Sequence, residues 1–154
     1  MGKPASLPGF QSPAVGFEQP FEMLQACHER VQRSLDLLRR LTAHIDAHGH
    51  DAASRSAAAD VLRYFDLAGP HHHADEEQDL FPCLRQVAAH DTALQALIDR
   101  LLVQHQGLES AWAELRGQLV AVVEGQANAL QKVTVEMFSR RYRDHIALEN
   151  GTLL

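Results

Sequence analysis

A chain of 154 residues bounds the answer to one domain able to bury a fair core. Apolar residues make up 45% and aromatics 6%, with Leu and Ala abundant and Gly and Pro sparse beyond the first twenty positions, a balance that favours packed helices over sheets. The net charge of −6 argues against nucleic acid as a partner, and no apolar run approaches the ~20 residues that a membrane span needs.

Residues 1–19 carry Pro4, Pro8 and Pro13 with Gly2, Gly9 and Gly16, which predicts an irregular arm pinned by Phe10 and Phe17. The arm has one lysine and no apolar stretch of the kind an export signal requires, so the expected location is the cytoplasm, with Cys27 and Cys83 as reduced thiols. A first helix is expected over 20–48, where Leu24, Cys27, Val31, Leu35, Leu38, Leu41 and Ile45 recur at threes and fours and Gly49 supplies the stop. A second should start near Ser54, as N-cap, and carry Ala57, Val61, Leu62, Phe65 and Leu67 inward. Gly69-Pro70 should bend or break it before it resumes to about residue 89, with a further distortion at Pro82. A third follows Asp91-Thr92 with Leu94, Leu97, Ile98, Leu101, Leu102, His105, Leu108, Trp112, Leu115, Leu119 and Val122 inward. A turn at Gly125 leads to a fourth over about 128–149, with Leu130, Val133, Met137, Phe138, Tyr142, His145, Ile146 and Glu149 inward. The expected fold is all-α, an up-down-up-down four-helix bundle over 20–154 behind the irregular arm of 1–19.

Two His-x-x-x-Glu pairs stand out: His73 with Glu77, and His145 with Glu149. Residues four apart lie one above the other on a helix, so each pair aims an imidazole nitrogen and a carboxylate at the same place, half of a transition-metal site. His72 and Glu76 form a competing pair, rotated by about 100°. Levels can be counted from the turns. His28 lies 23 residues before Asp51 and His73 lies 22 after it, while His105 and His145 each lie 20 from Gly125. Across the turn near Asp91, His73 and His105 differ by four residues, ~6 Å at 1.5 Å per residue, which the proline distortions or helix tilt must absorb. All four helices thus offer a histidine at a similar height. His28, His73, Glu77, His105, His145 and Glu149 together exceed the needs of one zinc ion and suit two metals bridged by the carboxylates. His44, His48 and His50 sit near the first turn, away from that level, and read as solvated.

The phrase from His73 through Glu77 to Leu80-Phe81-Pro82 resembles the second-helix motif of the hemerythrin-like, or HHE cation-binding, family, and 142–149 resembles its fourth-helix motif. His28 and His105 match the single histidines of the first and third helices, and the likeness covers about residues 20–152. The Leu-Phe-Pro register favours His73 and Glu77 over His72 and Glu76. The pattern is most similar to the four-histidine, two-glutamate type of the bacterial repair-of-iron-centres proteins. Glu109 stands where oxygen-carrying hemerythrins have a second third-helix histidine; it is an additional ligand, a water-holding neighbour or a solvated residue.

The resemblance implies two iron ions with oxo or hydroxo bridges, manganese or zinc being the alternatives, and a small ligand: O2, NO or peroxide. The leading expectation is a binding protein or sensor for such a ligand or for iron status. The alternative is a di-iron enzyme or iron donor in nitrosative or oxidative stress. No Gly-rich nucleotide loop is evident, so an enzyme would draw on an external electron donor. A third reading, a partner-binding bundle with a polar core and no metal, is separable by metal analysis.

Overall fold

The structure is a computed structural model that describes residues 20–153. The expected arm, with Phe10 and Phe17, lies outside the described residues. Helix α1 spans Pro20–His48 and α2 spans Ala52–Asp75; a π turn over Glu76–Leu80 joins α2 to α3, Phe81–Val87; α4 spans Thr92–Val123 and α5 spans Lys132–Thr152. The α2–π–α3 run forms one rod. α1 packs on α2 and α5, and α4 on α2 and α5, closing an up-down-up-down four-helix bundle without strands among the described residues.

The connections follow from local chemistry. Gly49 and Gly125 take φ of 73° and 100°, the left-handed region that glycine enters without a Cβ clash. Asp51, not Ser54, is the N-cap of α2; Ser54 sits three residues on and returns its hydroxyl to the Asp51 amide while its own amide bonds the Asp51 carboxylate. This reciprocal box satisfies two otherwise orphaned donors. Asp91 caps α4 through the Leu94 amide at 3.0 Å.

Gly69-Pro70 does not break α2, which runs on to Asp75. The disturbance falls further on, where the Phe81 amide bonds the Glu76 carbonyl and the spacing widens from four residues to five. Pro82 has no amide to continue the ladder, and one wide turn before it accommodates the loss. The last helix starts at Lys132 after a 3₁₀ turn, Ala127–Ala129, later than the hydrophobic pattern suggested. Its inner face is set by Phe138, Tyr142, His145 and Glu149, so Val133 and Met137, about 140° and 100° round from Phe138, are exposed rather than inward. Leu67 is likewise exposed, about 200° from Phe65.

The main core gathers Leu35, Leu38, Val61, Phe65, Leu115, Leu119, Phe138 and Ile146, and a smaller one gathers Phe81, Ile98 and Leu101. His105 lies between Leu101 of the smaller core and Leu108 of the larger, so a polar layer separates the two. Phe65 meets Phe138 edge to face with centroids 5.1 Å apart. Truncating the fully enclosed Phe138 to Ala should lower unfolding free energy by about 3–5 kcal/mol. Chemical denaturation of the metal-free protein measures this.

Candidate metal centre

Every rod of the bundle sends buried imidazoles or carboxylates into that polar layer. α1 contributes His28, α2 contributes His72 and His73, the π turn contributes Glu76, α4 contributes His105, and α5 contributes His145 and Glu149; each is at most 6% exposed. They fall into overlapping groups whose ligand atoms lie within 4.8 Å of one another: His73, His105 and His145; Glu76, His105, His145 and Glu149; and His28, His72 and Glu149. Glu76 Oε1 is 2.9 Å from His105 Nε2 and 3.9 Å from His145 Nε2, while its Oε2 is 3.6 Å from His72 Nε2. Glu149 touches His145 Nε2 with one oxygen and lies 3.5 Å from His28 Nε2 with the other. Each carboxylate therefore faces both ends of the cluster.

Of the residues singled out in the sequence, His28, His73, His105, His145 and Glu149 come together in this layer. Glu77 does not: its side chain is 40% exposed, and its carboxylate stands 3.5 Å from His105 Nδ1, on the outer side of that ring. Glu76 takes the inner position instead. Its i,i+4 partner is His72, which is buried, whereas His71 is exposed. That competing pair was visible in the sequence, but the rods' rotation was not. Glu109 is exposed and stays outside the groups, on the wall of a cavity next to His73. The levels also agree better than the count from Asp91 implied. The turn covers residues 88–91, so His73 lies 16 before Ala89 and His105 lies 15 after His90.

Outer partners fix the rings. The Nδ1–H of His28 donates to Asn150 Oδ1 at 2.9 Å and that of His145 donates to Gln104 Oε1 at 2.8 Å. Each bond leaves the Nε2 lone pair aimed at the cluster, the arrangement a metal-binding imidazole needs. Gln104 and Asn150 carried no signal in the sequence beyond their adjacency to His105 and Glu149.

Electrostatics point the same way. Burial pushes His72 down to about 4 and His105 down to about 3, with neighbouring imidazoles adding to the effect, so both rings are neutral at ordinary pH. His73 is lowered for the same reasons. Burial, and then the Glu149 charge, hold the Glu76 carboxyl well above the usual carboxylate range. Burial would raise Glu149 too, but the close His145 and His28 rings outweigh it and hold that group low.

Without a cation the layer is poorly satisfied. His28 Nε2, His72 Nε2, His145 Nε2, Glu76 Oε2 and both Glu149 oxygens are buried and lack a hydrogen-bond partner. Each such group costs on the order of 1–3 kcal/mol. Neutral imidazole nitrogens mixed with carboxylate oxygens are donors that suit first-row transition metals, so the residues fit such ions. Cation uptake should release protons, because burial favours the protonated Glu76 carboxyl and a bound cation favours the carboxylate; affinity should then weaken as pH falls. An indicator dye in weak buffer reports this during a metal titration, and uptake without net release would contradict the assignment.

Converging imidazoles and carboxylates on antiparallel rods define a cation-binding helical bundle. The chain belongs to the hemerythrin HHE cation-binding domain family, whose model matches residues 19–154. It is similar to an uncharacterised protein of Haemophilus influenzae, 38% identical over 133 residues, spanning 86% of this chain and 76% of that protein. Family and cluster together make it a metal-binding, hemerythrin-like protein. No described helix is long and apolar enough to cross a membrane.

Proposed function

We propose that the protein holds two iron ions in this layer and binds a small neutral ligand, O2 or NO, as a sensor or carrier of that signal. The observation that carries the reading is the pair of half-sites sharing Glu149, one through His28 and His72 and the other through His105 and His145, beside an apolar cavity. That cavity, of about 180 Å³, opens between α2, α4 and α5 and ends on His73. Phe65, Leu108, Trp112 and Phe138 form its walls, which favour an uncharged diatomic over hydrated ions. Ferrous ions would supply the electrons and open positions that such a ligand requires.

The chain's own part is to shelter and orient. Tyr142 is buried at the cavity wall with its hydroxyl 3.4 Å from His73 Nε2. Burial pushes its phenol well above the ordinary value, so it keeps its proton and can donate a hydrogen bond to a guest. That donor also favours a second reading, reduction of NO or peroxide by a di-iron enzyme fed from an external electron donor, in which Tyr142 would deliver a proton.

Anaerobic purification with metal analysis, followed by optical spectra before and after O2 and NO, tests the proposal. The expected result is two iron ions per chain and ligand-dependent bands that reverse on removing the gas. Turnover of NO or peroxide with a reductant would move the assignment to the second reading. A folded protein that retains and takes up no iron, manganese or zinc would end both.

A further inference from the structure

The cluster has a second opening, on the other side of α2. A cavity of about 140 Å³ lies between α1 and the α2–π–α3 rod, reached past Asp79 and Cys83 and floored by His72 and Glu76. Both cavities have apolar walls, here Met23, Leu24 and Leu80, but this one carries three carboxylates, Asp75, Glu76 and Asp79, where the cavity near His73 carries Glu109 alone. Asp75, Asp79 and Cys83 recur every four residues, and burial deepens inward: Cys83 and Asp79 are exposed, Asp75 is half-buried, Glu76 and His72 are buried. At the inner end, His72 Nε2 and Glu76 Oε2 have no hydrogen-bond partner and are shielded from solvent. Among the described residues, neither Asp75 nor Asp79 is held in an ion pair with a lysine or arginine.

We infer that this acidic cavity is the port through which divalent cations enter and leave the centre, with Asp75 and Asp79 as transient holding groups that pass the ion to His72 and Glu76. The inference rests on the reading of the cluster as a metal centre and gives its two openings different traffic. A neutral ligand gains nothing from carboxylates at a mouth, while a hydrated cation is drawn to them and exchanges water for carboxylate oxygens stepwise. Clefts lined by one sign of charge raise association rates by roughly 10- to 1,000-fold, and that gain falls with ionic strength. Because Asp75 and Asp79 stand outside the ligand groups, they set the rate of exchange and leave the final affinity to the buried residues.

The test is the kinetics of ferrous iron uptake by chelator-stripped protein, followed anaerobically by stopped-flow absorbance against a chromophoric chelator. Asp75→Asn with Asp79→Asn should slow uptake at least tenfold and flatten its salt dependence, with the final iron content equal to wild type. Glu109→Gln, in the other cavity, should leave the rate unchanged. A bulky maleimide on the exposed Cys83 of folded wild type should slow both uptake and chelator-driven loss; Cys27 is buried and spared. An unchanged rate in the double variant or in the labelled wild type would overturn the port. So would a lower final iron content in the double variant, which would make the aspartates ligands. Wild-type protein that takes up no iron at all would instead refute the metal centre itself.

Discussion

Replacing Glu149 with glutamine should lower cation affinity by on the order of 100-fold or more and remove the stabilisation that metal gives the fold. The reasoning is geometric. Glu149 is the residue common to the His28–His72 end and the His105–His145 end of the cluster, with one oxygen toward each. Loss of a group that merely orients a ligand already costs about 10- to 100-fold in affinity, and losing a shared anionic ligand costs more. A cation present at 100 times its dissociation constant stabilises the native state by about 2.7 kcal/mol. For a domain of this size that is roughly 5–10 °C in Tm. Thermal unfolding with and without iron measures the effect: wild type should show the upward shift and Glu149→Gln should not. An equal shift in both proteins would remove Glu149 from the centre.

The second large effect separates two adjacent residues. Glu76→Gln should abolish stable iron binding, whereas Glu77→Gln should retain full stoichiometry with a loss of tenfold or less. Glu76 is buried between His72 and His105, at the middle of the layer. Glu77 lies behind His105, its carboxylate 3.5 Å from an Nδ1 that has no hydrogen-bond partner, and its side chain is 40% exposed. Equilibrium dialysis against iron, with folding of each variant checked by circular dichroism, gives both values. The reverse order would place Glu77 inside and Glu76 outside.

Much of this was legible in the chain. The stripe from Leu24 to Leu41 specifies α1 down to its glycine stop, and the level histidines on four helices announce a shared layer. Two kinds of information were not legible. Tandem histidines followed by tandem glutamates satisfy the i,i+4 rule in two registers at once, so spacing alone leaves the choice open. The rotation of the rod decides it, turning Glu76 inward and leaving Glu77 exposed. The start of α5 was obscured in a similar way: Leu130, Val133 and Met137 form a plausible stripe, but it competes with the one through Val135, Phe138 and Tyr142. The chain spends residues 124–131 turning the corner, and the second stripe reaches the core. Tertiary packing chose between patterns of nearly equal local merit.

The most direct measurement is crystallographic: anomalous difference maps recorded on both sides of the iron absorption edge, from crystals of anaerobically loaded protein. Two peaks are predicted in the layer, one flanked by His28 and His72 and one by His73, His105 and His145, with Glu76 and Glu149 reaching toward both. A map with no peak among these side chains, or with its iron held at the half-buried His44 and the exposed His48, would contradict it.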